Sequence, residues 1–135
     1  MKKLLSIRYT DNGITIAALL MRLGLGALII PHGYSKLINF ASRSANFSDP
    51  FHIGSPTSLA LVIFAEFFCG VFILLGLFTR LACIPLIIAM AVIVFKIHNA
   101  DFFGDAEKPT LFLLGYLALM FTGPGKVSLD RLIAR

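Results

Sequence analysis

The sequence predicts an all-α integral membrane protein built as a four-helix bundle, and three observations support this fold class. Hydrophobic residues make up 58% of the 135 residues and charged residues only 14%, whereas soluble domains average roughly 45–50% apolar residues. The mean hydropathy is +0.88. Four apolar stretches follow one another along the chain, and a helix of about 20 apolar residues can span a bilayer. We therefore expect a single domain, residues 1–135, in contact with the lipid bilayer.

The four spans are expected at about residues 14–37, 57–78, 81–98 and 107–122. The first follows a short basic lead and is expected to continue through Pro31. The second carries Glu66 as its only charge, and only Thr79 and Arg80 separate it from the third. Because short connections usually join adjacent elements, sequential spans are expected to pack beside each other.

The fourth span has the shortest apolar core and is expected to begin near Glu107 and to end at Gly123, where a Gly-Pro-Gly segment follows. Beyond it, the apolar residues of segment 128–135 fall on one side, which is typical of a short helix lying at the membrane interface. We therefore expect a short C-terminal interfacial helix after the bundle.

Basic residues are distributed unevenly between the two sides of the predicted bundle. The side of the termini carries Lys2, Lys3, Arg8, Arg80, Lys126, Arg131 and Arg135, and the other side carries Lys36, Arg43, Lys96 and Lys108. Since cytoplasmic loops are enriched in Lys and Arg, both termini are expected in the cytoplasm. The net charge of +5 does not indicate nucleic-acid binding, because no face or arm concentrates the 12 basic residues.

The two cysteines, Cys69 and Cys83, lie inside apolar runs without a CxxC motif. This pattern predicts neither a disulfide framework nor a zinc site. Cys69 is interpreted as a small core residue.

Arg22 and Glu66 each stand well inside an apolar span. A charge at such a depth costs about 2.5–3.5 kcal/mol on insertion scales unless it meets a partner or a wet cavity. At a rise of 1.5 Å per residue, Arg22 lies roughly 12 Å and Glu66 roughly 18 Å from the cytoplasmic ends of their spans. An arginine side chain can bridge the difference, so we predict an Arg22–Glu66 pair. It is either an anion or proton site or a structural ion pair that orients the two helices.

Three further polar side chains are expected at the outer level of the bundle. His32 and Lys36 are four residues apart and share a helix face, and His98 closes the third span. We predict that they form the mouth of a polar cavity whose floor is Arg22 and Glu66. Two alternatives stay open: the lysine snorkels to the interface, or the two histidines ligate a haem iron or a metal. No third metal ligand is evident, so no metal site is predicted.

Six short motifs follow one another along the chain and cover most of it. They are R-L-G-x-G at 22–26, H-G-x-x-K-L at 32–37, E-x-x-x-G at 66–70, L-G-L-F-T-R at 75–80, a histidine at position 98 and G-P-G-K-x-S-L-D at 123–130. In combination they resemble the DoxX family, which consists of small four-helix bacterial membrane proteins. The resemblance implies a multi-pass protein of the bacterial inner membrane.

The resemblance also implies a redox or sulfur-linked role. Relatives in the family include a subunit of an archaeal thiosulfate:quinone oxidoreductase and a mycobacterial protein assembled with a superoxide dismutase and a sulfurtransferase. On this basis we expect the membrane component of a redox complex, with quinone, thiosulfate or thiols as candidate small molecules. A soluble redox enzyme is the candidate protein partner. Whether the chain is itself an oxidoreductase stays open, as does a homo-oligomer.

The expected ligand-binding residues are Arg22, His32, Lys36, Glu66 and His98. Glu66 and His98 are the candidate catalytic residues, while Arg80, also on a motif position, is interpreted as a positive-inside anchor. Quinone is the favoured candidate cofactor and haem the less favoured one. The alternative hypothesis is a non-enzymatic membrane scaffold or a small-solute transporter, since the sequence carries no recognisable electron-carrying motif.

Overall fold

The computed structural model describes all 135 residues and contains helices and no strand. The helices are α1 (Asp11–Ile38), α2 (Phe40–Arg43), α3 (Ser55–Leu75), α4 (Thr79–Ile97), α5 (Glu107–Thr122) and α6 (Leu129–Ile133). The long helices pack in a ring in which α1 contacts α3 and α5, and α4 also contacts α3 and α5. The all-α prediction is therefore confirmed.

Helices α1, α3 and α4 have the length and hydropathy needed to cross a membrane. Helix α5 has 16 residues, which is about 24 Å at 1.5 Å per residue, against a hydrocarbon core of about 30 Å. Membrane-spanning capacity is thus confirmed for three of the four predicted spans. The fourth crossing and the orientation of the termini remain predictions.

The ends of the helices follow from local sequence. Thr10 caps α1, because its side-chain oxygen accepts a hydrogen bond from the Gly13 N–H at 3.0 Å. Helix α1 then continues through Pro31. Helix α3 ends at Leu75, before the predicted end at Phe78, because Gly76 adopts a left-handed conformation with φ of +68°.

Two segments of the long helices are wound as π-helix, Phe64–Cys69 in α3 and Ile93–Ile97 in α4. The first contains Glu66 and the second contains Lys96. Short π segments inside α-helices are frequent at functional sites. Sequence periodicity does not indicate either segment, because both stretches are apolar on nearly all sides and have no apolar stripe whose direction could shift.

Close contact between α1 and α3 depends on glycines that face the partner helix. A Cβ atom on Gly33 would lie 2.5 Å from the Phe67 nitrogen, and one on Gly26 would lie 2.9 Å from the Leu74 Cβ. On α3, a Cβ atom on Gly70 would lie 2.9 Å from Ile29 Cγ2. Small residues of this kind let membrane helices approach until their backbones are nearly in contact. The two helices therefore have a fixed antiparallel register, in which residues near 26 face residues near 74 and residues near 33 face residues near 67.

The apolar core extends from this contact toward α4 and α5. Its fully buried side chains include Ile73, Leu86 and Tyr116. Cys69 and Cys83 are free thiols within the same cluster. Cys69 therefore occupies the core position expected for it.

Replacing Gly33 with alanine is expected to destabilise the protein by roughly 1–3 kcal/mol, because the new methyl group would overpack the α1–α3 contact. Gly24 lies in the same helix, and a Cβ atom there would have no other atom within 4 Å. Gly24→Ala is therefore the matched control and should be neutral or stabilising. Unfolding in graded denaturing detergent measures both variants. Equal stability of the two variants would contradict the close helix contact.

Candidate functional site

A cavity of about 370 Å³ lies at the end of the bundle opposite the termini. Its wall combines Lys36 near the end of α1 with side chains from residues 58–66 of α3, residues 85–97 of α4 and residues 47–53 of the loop before α3. Most of the lining side chains are apolar, and the only charged ones are Lys36 and Glu66. The cavity is therefore mostly apolar, with one ion pair in its wall.

Lys36 and Glu66 form a salt bridge in which the lysine Nζ lies 2.5 Å from the glutamate Oε2. The Glu66 side chain is 3% exposed and the Lys36 side chain 18% exposed. Gly33 precedes Lys36 by about one turn, and a Cβ atom there would lie 2.8 Å from the Glu66 carbonyl carbon. The spacing of glycine and lysine in the H-G-x-x-K motif thus brings α1 against Glu66 and directs the ammonium group to its carboxylate.

The predicted Arg22–Glu66 pair is wrong, because the partner of Glu66 is Lys36. Equal depth along the two helices does not bring these residues together, because α1 and α3 do not end at one level. Instead α1 extends beyond the end of α3, and the added length packs against the C-terminal segment, where a Cβ atom on Gly125 would lie 3.3 Å from Ala18 Cβ. Arg22 consequently lies level with the end of α3, far along the helix from Glu66.

Arg22 is buried, with 3% of its surface exposed, and its guanidinium donates to four backbone carbonyls. Two acceptors, Ile73 and Leu74, lie in the last turn of α3 at 3.1 Å, where helix geometry leaves carbonyls short of intrahelical donors. The Ile73 carbonyl also accepts from the Gly76 N–H. The other two are Pro124 at 3.0 Å and Val127, both in the segment after α5. Arg22 therefore joins three parts of the chain and does not line the cavity.

The same end of the bundle contains a second cross-link, made by Asp130. Its carboxylate accepts from the N–H groups of Phe78 at 2.6 Å and Thr79 at 2.9 Å, and its own N–H donates to the Gly76 carbonyl at 2.8 Å. Gly76 must lack a side chain, since a Cβ atom there would lie 2.6 Å from the Arg22 guanidinium carbon. The L-G-L-F-T-R and G-P-G-K-x-S-L-D motifs thus form one structural unit around Arg22.

The histidines do not complete the predicted mouth of the cavity. His32 is exposed on α1, His98 is half-buried just after α4, and neither lines the cavity. No group of three or more His, Cys, Asp or Glu side chains is arranged to hold a metal ion. Of the five predicted site residues, the structure brings only Lys36 and Glu66 together.

The loop before α3 forms a wall of the cavity that sequence reasoning missed. Phe47 and Phe51 line the cavity, and the Lys96 ammonium lies 5.6 Å from the centroid of the Phe51 ring. Asp49 holds the loop to the start of α3: it accepts from the Ser58 hydroxyl at 2.8 Å and from the N–H groups of Ile53 and Gly54. An aspartate a few residues before a helix start was the available signal.

The pKa of Asp49 reflects these contacts. Desolvation acts to raise the pKa of this carboxyl group, but the hydrogen bonds from Ser58, Gly54 and Ile53, together with the charge of nearby His52, lower it below the ordinary value of 3.8. The contacts therefore favour the ionised form.

Comparison with known proteins identifies a family. The DoxX family model matches residues 17–99. The inner membrane protein YphA of Escherichia coli is 29% identical over 93% of this chain and 98% of its own length. A Bacillus subtilis protein named "Putative oxidoreductase CatD" is 33% identical over 89% of both chains, and the Escherichia coli inner membrane protein YqjF is 31% identical over 91% of this chain and 93% of its own. No solved structure gives a significant match.

Replacing Arg22 with leucine is expected to cost at least about 3 kcal/mol, because several buried carbonyls lose their donors at once. The stability of Arg22→Lys should lie between those of the wild type and Arg22→Leu, because an ammonium group has three donors for four acceptors. The effects of Arg22→Leu and Glu66→Gln should add to within about 0.5 kcal/mol in a double-mutant cycle, because the residues do not touch. A large coupling energy would indicate that Arg22 and Glu66 are in contact, which would contradict the structure.

The Asp49 contacts predict an acid-sensitive loop. A carboxyl group whose folded-state pKa is lowered stabilises the fold above its unfolded pKa, and the stabilisation is lost as the pH falls through the folded value. Hydrogen-exchange protection of the Ile53 and Gly54 amides, corrected for intrinsic rates, should therefore hold at neutral pH and fall below the ordinary Asp pKa of 3.8. Asp49→Asn should show reduced protection already at pH 7. Equal protection of these amides in the wild-type protein and in Asp49→Asn at every pH would show that Asp49 does not hold the loop to the start of α3.

Proposed function

The chain belongs to the DoxX family, and on that premise we propose that it is the membrane component of a redox complex, holding a quinone headgroup in the cavity bordered by Lys36 and Glu66. The observation that carries the proposal is a mostly apolar cavity with a single ion pair in its wall, in which Glu66 is buried and Lys36 is partly exposed. The name of the relative CatD, which describes an oxidoreductase, agrees with a redox role.

The cavity suits a small, ring-sized ligand. Its volume of about 370 Å³ lies near the lower end of the 300–1,000 Å³ that is typical of ligand pockets. A wall that is apolar except for a few convergent polar groups is the usual form of such a pocket. A quinone ring with two carbonyl oxygens has the matching character, since its flat faces are apolar and its oxygens accept hydrogen bonds.

The position of the cavity supports a ligand that arrives from the membrane. Leu61 and Phe64 of α3 and Ile88 of α4 line the cavity and are also about half exposed on the outer surface of the bundle. Apolar side chains on the surface of a membrane helix face the lipid. The gap between α3 and α4 thus offers a lateral route for a lipid-soluble molecule.

The ion pair can supply both a hydrogen bond and a proton site. Lys36 has three donors, so it can donate to a quinone oxygen while still contacting Glu66. A quinone that becomes a hydroquinone takes up two electrons and two protons, and a dithiol that becomes a disulfide releases two of each. In this proposal the two electrons come from a dithiol that becomes a disulfide, or from two thiosulfate ions that become tetrathionate, held by a soluble partner. The Glu66 carboxylate takes up two protons in turn, from the dithiol or from water at the rim of the cavity, and passes each to a quinone oxygen.

The other predicted site residues take different places in this proposal. His98 follows Ile97, which lines the cavity, and it serves as a proton-carrying group at the rim. Arg22 has a structural role, and His32 stays on the outer surface.

Both termini are assigned to the cytoplasm, with α5 as a short fourth crossing. Activity of a C-terminal reporter enzyme that works only outside the cytoplasm would overturn that assignment.

Binding of a short-chain quinone to the purified protein tests the proposal. Isothermal titration with ubiquinone-1 and with a short-chain naphthoquinone should detect binding of at least one of them. Lys36→Met should weaken it about tenfold or more, because a hydrogen bond from a charged group contributes about 1.5–3 kcal/mol. Glu66→Gln should weaken it less, because it removes only the carboxylate that orients the lysine. The matched control is Lys108→Met, which alters an exposed lysine at the same end of the bundle that does not line the cavity.

Four results would count against the proposal or a part of it. Absence of binding by the wild-type protein would remove the quinone site, and equal affinity in Lys36→Met and Lys108→Met would remove the role of the ion pair. Quinone binding without quinol formation in vesicles supplied with thiosulfate or a dithiol would leave a quinone-binding scaffold. Solute flux in proteoliposomes that Glu66→Gln abolishes would favour the transporter alternative.

A further inference from the structure

The cavity bordered by Lys36 and Glu66 offers few hydrogen-bond donors to a ligand. Four of its 18 lining residues have polar side chains: Lys36, Ser48, Ser58 and Glu66. The Ser58 hydroxyl is buried and already donates to the Asp49 carboxylate at 2.8 Å, and Ser48 is exposed on the loop before α3. With Glu66 ionised, the Lys36 ammonium is therefore the side chain that can donate a hydrogen bond inside the cavity.

Helix α4 contributes an apolar wall to the same cavity. Six of its residues line the cavity, and none of them has a polar side chain: Pro85, Ile88, Ala89, Val92, Ile93 and Ile97. The N–H groups within a helix are used in its own hydrogen bonds, and Pro85 has no N–H group. A ligand atom that lies against α4 therefore meets carbon atoms and finds no donor.

The loop before α3 adds an aromatic wall. Phe47 and Phe51 line the cavity, and the Lys96 ammonium, 5.6 Å from the centroid of the Phe51 ring, attracts the face of that ring. Asp49, between the two phenylalanines, anchors the loop to the start of α3 through Ser58. Because aromatic rings interact favourably with one another beyond the area that they bury, this wall favours a ligand with an aromatic ring.

Quinone headgroups differ in how well they match this lining. All carry two carbonyl oxygens, so the difference lies in the rest of the ring. A dimethoxybenzoquinone adds two ether oxygens, which lose their water on burial and need a donor to offset that cost. A naphthoquinone has a fused benzene ring at the same edge, which is apolar and aromatic. We propose that the cavity selects the naphthoquinone class over methoxy-substituted benzoquinones, an inference that rests on the quinone site proposed above.

Three short-chain quinones with the same single prenyl tail test this selectivity on the purified full-length protein. Menaquinone-1 has the fused ring, ubiquinone-1 has two methoxy groups, and plastoquinone-1 has methyl groups in their place. Isothermal titration should give menaquinone-1 the highest affinity. Ubiquinone-1 should bind about tenfold more weakly than plastoquinone-1, because its ether oxygens find no donor. Equal or higher affinity for ubiquinone-1 than for menaquinone-1 would overturn the selectivity but leave the quinone site, whereas absence of binding by all three would remove the site itself.

Phe51→Leu tests the contribution of the aromatic wall. The ratio of the menaquinone-1 affinity to the ubiquinone-1 affinity should fall several-fold, because leucine is apolar but not aromatic. The ratio is the readout, since a general loosening of the loop would weaken the binding of both quinones alike. Phe103→Leu is the matched control, because Phe103 is fully exposed and does not line the cavity. An unchanged ratio in Phe51→Leu, or an equal change in both variants, would show that the aromatic wall does not select the ligand.

Discussion

The contact between the Arg22 guanidinium and the end of α3 determines how the rest of this bundle is arranged. A helix that ends inside a membrane protein leaves carbonyls that water cannot satisfy, and Arg22 supplies donors to two of them. The same group binds two carbonyls after α5. One buried cation therefore joins α1, α3 and the C-terminal segment, and a charge that would be costly in an apolar span becomes the connection between them.

This contact also sets the register that builds the other end of the bundle. With Arg22 level with the end of α3, the stripe of α1 that faces α3 passes through Gly26 and Gly33 and reaches Lys36. Along the antiparallel partner, the facing positions run back from Leu74 to Glu66. Arg22 thus lies at one end of this stripe and the Lys36–Glu66 pair at the other. Between them the two helices pack closely, because glycines stand where larger side chains would keep the backbones apart.

The sequence was sufficient for the all-helical class and for three helices able to span a membrane, because apolar content and span length depend only on composition and order. It also identified Arg22 and Glu66 as charges that need partners. It could not identify those partners, because the acceptors of Arg22 are backbone carbonyls, which every residue carries. The partner of Glu66 depended on how far α1 extends beyond α3, a length difference that depth measured along each helix separately cannot reveal. Asp49 and the aromatic loop were missed for a related reason: their role arises only when the loop meets α3 and α4.

The charged residues at the two ends of the bundle have different chemical environments. Around Arg22, every polar partner is a main-chain group or a carboxylate with both oxygens in use, so little capacity remains for a ligand. At Glu66 the carboxylate has a single lysine partner, and a carboxylate can accept several hydrogen bonds. Glu66 lies in the π-helical segment of α3 and lines the apolar cavity. A buried acid with spare hydrogen-bonding capacity next to an apolar cavity can exchange a proton with a bound ligand. That difference is why Glu66, and not Arg22, is the residue for which we propose a role in function.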